Sequence, residues 1–463
     1  MIFLLCYLTK LENIIMQNVS KKEMRLAVIS SLVGSMLEFY DFQIYGMAAA
    51  LVFNILFFPD VDPTTALLAS FATFGVGFIA RPLGGMFFGY LGDIIGRKKT
   101  LVITLIGMGI VSCLTGLLPG YMQIGLWAPA LLVLLRFLQG FLVGGEWGGA
   151  ALLVYEYAPP HRRGFFGVFP QIGGFLGNLL SAGTFALVTL LPQDDLLSWG
   201  WRIPFLSSAI LLGVGLFVRA KLDETPAFKE MQRQELILKD QKTKKTIPTV
   251  EVIKNSWRSI LTIMLLRLGE SVPYYVVTVF AVSYASTLGI ERGTMLLAIV
   301  LVCILACPMH LLYGALSDKI GRRKIYLFGA IVAAISPFPF FWALESHSFV
   351  LMLLGYVLVI NIAHNAINSM QPSLFSELFN TKVRYSGISI GSQFGAILAG
   401  GFTPLIATSL ARYDGGHWTL VALYVTAASM VTVLTAFFLK ERHGRHAEKP
   451  LTRQGNVSVD AAD

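Results

Sequence analysis

Residues 89–99 read Gly-Tyr-Leu-Gly-Asp-Ile-Ile-Gly-Arg-Lys-Lys, and residues 314–324 read Gly-Ala-Leu-Ser-Asp-Lys-Ile-Gly-Arg-Arg-Lys. Both follow one pattern, G-x3-D-x2-G-R-+-+, where + is Lys or Arg. Each copy closes a long apolar run. A second echo accompanies the first: Glu156 precedes Arg163 by seven residues, and Glu377 precedes Arg384 by seven. Two matched signals at corresponding places predict a duplicated unit.

Away from these motifs the chain is strongly apolar. Hydrophobic residues make up 55% and charged residues only 14%, and the mean hydropathy is +0.68. A soluble domain carries about a quarter charged residues. Here the apolar residues fall in blocks, as at 101–118, 201–218, 295–312 and 419–439. An α-helix needs about 20 such residues to cross ~30 Å of hydrocarbon. Hydropathy, punctuated by Gly, Pro and charge, predicts twelve spans near 27–57, 66–91, 100–119, 126–153, 165–191, 200–219, 257–288, 294–317, 325–344, 349–376, 384–411 and 418–439. The expected fold is an all-α membrane protein of two pseudo-symmetric six-helix bundles. Its expected divisions are a cytoplasmic segment at 1–25, one bundle at 26–219, a mixed-charge central loop at 220–256, a second bundle at 257–440 and a tail at 441–463.

The net charge of +9 does not point to nucleic acid, because the basic residues alternate between connections. They gather at Lys21, Lys22 and Arg25, at 97–99, at Arg162 and Arg163, across 219–258, at 319–324, at Lys382 and Arg384, and beyond 440; the intervening connections hold little beyond Arg202, Arg292 and Arg412. By the positive-inside rule, both termini and the central loop are expected in the cytoplasm of a multi-pass inner-membrane protein. The cysteines Cys6, Cys113, Cys303 and Cys307 have no metal-ligand spacing and read as packing residues. No cofactor, metal or catalytic residue is expected. The opening MIFLLCYLTK lacks a basic start and a cleavage site; it reads as an interfacial turn, or as residues ahead of a start at Met16 or Met24. Gly75-Val-Gly77-Phe-Ile-Ala80 matches GxGxxA, but inside a span with no preceding strand it is no dinucleotide site. With no Walker loop, nucleophile elbow or zinc motif, neither an ATP-driven pump nor an enzyme is expected.

An ionised side chain at mid-bilayer depth costs about 2.5–3.5 kcal/mol, so each one calls for a reason. Glu38 and Asp41, three apart in the first span, share a helix face; two carboxylates so close in low dielectric cannot both ionise easily, as a proton-coupling group requires. The alternative is permanent neutralisation by an arginine. In the fourth span Arg136 and Gln139 share a face, and the planar guanidinium suits a carboxylate substrate, unless it is buried against Glu38 or Asp41. Glu146 lies ten residues beyond Arg136 and cannot pair with it in the same helix. Arg81 is a second candidate anion contact. In the seventh span Glu270, three residues after Arg267, either pairs with it or faces the cavity as a second proton site, with Pro273 permitting a bend. Tyr45, Gln171, Asn178, Tyr274, Asn361, Asn365 and Asn368 complete the expected cavity lining, with helix–helix hydrogen bonding as the alternative. His310 and His364 read as isolated packing residues.

The G-x3-D-x2-G-R-+-+ loop resembles the signature of the major facilitator superfamily. Residues 37–42 (LEFYDF), 80–85 (ARPLGG), 136–140 (RFLQG), 144–149 (GGEWGG) and 198–205 (SWGWRIPF) resemble its metabolite:proton symporter branch, most closely the shikimate-permease-like organic acid carriers. The resemblance runs from about Arg25 to Lys440. It implies a proton-coupled importer of a small organic acid working as a monomer by alternating access. Asp93, Arg97, Asp318, Arg322, Glu156, Glu377, Arg163 and Arg384 would act as gates. An exporter or drug:proton antiporter on the same fold, and a zwitterion carrier for betaine or proline, stay open as alternatives. The latter is disfavoured because the tail after Lys440 shows no heptads.

Overall fold

The computed structural model describes residues 20–60, 62–238 and 248–439. Twelve helical segments run through them. They are α1 Lys21–Leu56, α2 Pro63–Ile94, α3 Arg97–Gly116, α4 Trp127–Tyr157, α5 Pro160–Val188 and α6 Arg202–Ala220, then α7 Trp257–Thr287, α8 Arg292–Ile320, α9 Arg322–Ile335 continued by Pro337–Glu345, α10 Phe349–Ser376, α11 Arg384–Tyr413 and α12 Thr419–Phe438. The two parts of α9 meet at a 44° bend, next to Pro337 and Pro339. Large apolar side chains face outward along the spans, among them Ile79, Leu187, Ile210 and Leu405, as expected where the surrounding solvent is lipid. The opening MIFLLCYLTK with Cys6 and the tail beyond 439 lie outside the described residues.

Within each half the helices cross closely because glycines remove the side chains between them. A Cβ on Gly84 would overlap the Phe141 carbonyl, one on Gly140 the Gly77 carbonyl, and one on Gly144 the Arg81 carbonyl. These contacts bring α2 against α4. Gly173 and Gly177 do the same for α5 against Leu32 and Met36 of α1. Small residues are how membrane helices reach van der Waals contact. Four helices loosen into π turns partway along, at Ala49–Phe53, Val276–Phe280, Val357–His364 and Ile397–Gly401. The turn in α7 comes just after Pro273, which withholds one amide from the helix.

Both copies of the repeated motif form one piece of structure. Gly96 and Gly321 sit at φ of +110° and +107°, a conformation open essentially only to glycine, and there the chain reverses from α2 into α3 and from α8 into α9. The aspartate of each copy then reaches across to the other half. Asp93 accepts hydrogen bonds from the N–H groups of Tyr385 (3.2 Å) and Ser386 (2.9 Å) at the start of α11. Asp318 accepts from Gly164 and Phe165 (2.8 Å each) in the helical turn Arg163–Gly167 of α5. A carboxylate at a helix N-terminus meets both free amides and the positive end of the helix dipole. The arginines complete the lattice. Arg97 lies 3.3 Å from Glu156 and donates to the Thr381 carbonyl of the other half at 2.8 Å. Glu156 also meets Arg384 across the seam at 3.5 Å. In the second copy Arg322 pairs with Glu377 as Arg97 does with Glu156, but where Arg384 meets Glu156, its counterpart Arg163 donates to Tyr155 at 3.1 Å. The two halves are therefore closed against each other at the basic end.

The linker, read from sequence as a plain charged connection, carries the helices Pro226–Leu238 and Pro248–Asn255. Its start is docked: Glu224 accepts from the backbone N–H groups of Arg97 (2.9 Å) and Lys98 (3.2 Å), and Thr225 donates to Glu156 at 2.6 Å.

Two outcomes follow from this packing. Gly84→Val forces α2 off α4 and costs about 1–3 kcal/mol, read as a lower thermal midpoint in detergent or loss of protein from the membrane; a wild-type midpoint would mean the crossing is looser than described. The double variant Asp93→Asn, Asp318→Asn weakens both cross-half caps. A cysteine placed at the buried Ser389, in a background without native cysteines, should then react with a thiol reagent about tenfold faster. Unchanged labelling would deny the caps any part in closure.

Candidate functional site

The mid-depth face of α1 holds the first polar group. Asp41 is fully buried and accepts a 2.5 Å hydrogen bond from Ser208 of α6. Arg136 of α4, also fully buried, donates to Gln139 at 2.6 Å. Gln139 in turn donates to Ser112 (3.2 Å) and to the Asp41 carbonyl (3.5 Å). Arg136 thus connects to the main chain at Asp41 through the Gln139 amide, and its guanidinium also lies over the rings of Tyr45 (4.2 Å) and Phe42 (4.4 Å). The opposite side of this aromatic cluster belongs to Arg81 of α2, 4.2 Å from the Phe42 centroid and 4.9 Å from that of Phe78. Stacking of this kind contributes about 2 kcal/mol when desolvated.

Glu38 and Asp41 do not share an environment. Asp41 turns into its own bundle toward Ser208, whereas Glu38 is 4% exposed and its Oε2 has no hydrogen-bond partner among the described residues. Glu146, grouped by sequence with the coupling carboxylates, is bound to Arg219 of α6 and accepts from Thr104 of α3 at 2.6 Å. That pair is sealed inside the first bundle. Arg219 was read from sequence as the first basic residue of the linker; it is in fact 2% exposed. An intramembrane carboxylate needs a cation, and that need is the signal that could have found it.

The second bundle holds a web around Glu270, which lies 3.5 Å from Arg267, 3.1 Å from His364 and 3.4 Å from Asn368 and accepts from Ser271 at 2.6 Å. Glu270 therefore pairs with Arg267 and faces His364 at once. His364 stacks on Tyr274 with centroids 4.8 Å apart, and His310 bonds to Asn368 at 3.1 Å. Neither histidine is isolated, contrary to the sequence reading. Asn365 donates to Asn361 at 2.9 Å and meets His364 through its own Oδ1 at 3.1 Å, so Asn365 and Asn368 both join the web and Asn361 reaches it through Asn365. Gln371, which sequence reasoning missed, accepts from Arg267 at 3.3 Å.

The two groups meet across the seam between bundles. Trp147 of α4 donates to Gln171 of α5 at 3.0 Å, and Gln171 donates to the Asn368 carbonyl of α10 at 3.0 Å. Arg267 reaches over the Trp147 ring at 5.5 Å. Gln393 of α11 donates to the Gly144 carbonyl at 3.2 Å. Asn178 is half-buried on α5, two turns beyond Gln171. Few of these cross-seam bonds are charged, so they can exchange for bonds to a bound polar molecule at little net cost.

Comparison with known proteins agrees with this architecture. The family model "Sugar (and other) transporter" matches residues 26–450. The shikimate transporter of Escherichia coli K12 is 42% identical over 419 residues, covering 90% of this chain and 94% of that one. A glycine betaine/proline/ectoine/pipecolic acid transporter of Dickeya dadantii is 36% identical over 445 residues, covering 95% and 87%. Among solved structures, the major facilitator superfamily proton:xylose symporter bound to 6-bromo-6-deoxy-D-glucose superposes with a TM-score of 0.69 at 19% identity, over 90% of this chain and 95% of that one. The chain belongs to the sugar (and other) transporter family of the major facilitator superfamily, within its metabolite-transporting branch, and is a membrane carrier rather than an enzyme.

Proposed function

We propose that this protein is a proton-coupled symporter that imports a small organic acid across the cytoplasmic membrane by alternating access. The observation that carries the reading is a fully buried aspartate, Asp41, its carboxylate bonded to Ser208 and its main-chain carbonyl to Gln139, the partner of the buried guanidinium of Arg136, beside a seam lined by exchangeable polar bonds. An ionised aspartate at that depth resists any motion that strips its hydrogen bonds. A proton removes the charge and frees the helix to move. Net flux follows the gradient when reorientation requires both proton and substrate, or neither.

In this reading the basic end faces the cytoplasm, and the lattice of Asp93, Arg97, Glu156, Asp318, Arg322, Glu377, Arg163 and Arg384 is the cytoplasmic gate. The carrier is then held with its inner side shut. Glu146 serves structure, through Arg219. The identity shared with the shikimate transporter supports an organic acid as cargo, and the positive charge of Arg81, Arg136 and Arg267 at mid-depth suits an anion. The protein works as a monomer, since each chain contains both halves of the seam.

The test is uptake of labelled shikimate, other hydroxy acids and glycine betaine into cells or proteoliposomes, with and without a protonophore. Acid accumulation abolished by the protonophore is expected; accumulation that survives it removes proton coupling, and accumulation of betaine alone moves the chain to the zwitterion carriers. Asp41→Asn should abolish accumulation against a gradient while leaving the protein in the membrane. Wild-type accumulation by that variant would take Asp41 out of the mechanism.

A further inference from the structure

Arg81 is a partly buried cation that makes no hydrogen bond or ion pair among the described residues; it lies against the faces of Phe42 and Phe78. Arg267 is better supported, by Gln371 and Glu270, yet its Nε is also buried without a partner. The two arginines come from opposite halves and face one seam. Gly85, one helical turn beyond Arg81, packs where α2 meets Gln393 of α11, and Gly395, two residues further along α11, backs directly onto the Arg267 side chain. Glu38 sits one turn before Phe42 on α1, on the face that Arg81 covers. The charges acting on Glu38 are Arg81 from α2, Glu146 from α4 and Arg267 from α7. Glu146 is already committed to Arg219, and α5 contributes no charged residue over Phe169–Val188.

Two guanidinium groups brought together without a carboxylate in contact with both repel each other. We infer that Arg81 and Arg267 form a two-sided seat for the carboxylate of the transported acid, and that Glu38 is the internal carboxylate competing with it for the same two cations. The inference rests on the organic-acid reading given above. Arg267 can turn to a substrate without stranding Glu270, which keeps Ser271, His364 and Asn368 as donors. Arg267 lies over Trp147 of the opposite half, so an acid held between the arginines draws the halves together.

The competition couples proton to substrate. An acid occupying both guanidinium groups leaves Glu38 without a cation, and burial then tolerates only its neutral, protonated form. Proton and acid consequently bind together better than either does alone, and the effect is reciprocal. The seat selects a compact acid with one carboxylate, and the amides of Gln171, Gln371 and Gln393 around the seam suit hydroxyl groups on it.

The experiment is exchange of an accumulated hydroxy acid in proteoliposomes at several pH values. The probe is whichever acid of the shikimate-containing panel wild-type protein takes up; uptake of none defeats the organic-acid reading itself. For the seat, Arg81→Gln and Arg267→Gln should each raise the exchange KM about tenfold or more, with partial recovery in the corresponding Lys variants. Wild-type KM should fall as pH is lowered, and Glu38→Gln should retain exchange with a KM independent of pH. An unchanged KM in either arginine variant overturns the seat. If those variants fail to fold, a wild-type pH dependence in Glu38→Gln overturns it independently.

Discussion

A charge inside hydrocarbon costs about 2.5–3.5 kcal/mol even after the side chain and lipid adjust, and the arrangement of this protein follows from how each such charge is met. Glu146 and Arg219 meet each other and seal one bundle. The Asp41 carboxylate takes a serine hydroxyl, and Arg136 takes the Gln139 amide and two aromatic faces. Glu270 gathers three hydrogen-bond donors and an arginine. Among the described residues Arg81 is met by aromatic faces without an ion pair, and the Glu38 carboxylate keeps one oxygen with no hydrogen-bond partner. Satisfied charges hold the bundles together, while those met incompletely lie at the seam, where a carrier binds and releases its cargo.

The closure at the basic end uses the same physics at the membrane surface. Each half offers an aspartate to the first turn of a helix in the other half, so the contact is a charge-assisted hydrogen bond rather than an exposed ion pair. Exposed pairs contribute about 0–1 kcal/mol; buried bonds to a carboxylate contribute more. A few such bonds hold the closed arrangement without locking it, since a preference of a few kcal/mol can be reversed by a ligand of comparable differential affinity.

Much of this was legible in the sequence. The spans follow from apolar blocks, the halves from the repeated motif, and the cross-half role of Asp93 and Asp318 from opposite charges placed at helix ends. The site was legible in its parts but not in its pairings. Glu38 and Asp41 share a face by spacing, yet the tilt of α1 against α6 sends one into its bundle and leaves the other at the seam. Glu270 and His364 are 94 residues apart, and no local pattern relates them. Arg219 stood in a row of loop cations; only the depth of α6 separates it from its neighbours.

The donors in the cross-half caps are main-chain amides of Tyr385, Ser386, Gly164 and Phe165. Short of proline, a substitution at Tyr385, Ser386 or Phe165 keeps its donor, whereas at Gly164 any side chain would crowd the Asp318 carboxylate itself. Heritable adjustment of these two caps therefore falls on their acceptors, two aspartates in a chain of 463 residues, and on that one glycine. The strength of the caps is thus written at three positions, and the neighbouring ion pairs of Arg97 and Arg384 offer separate points of adjustment.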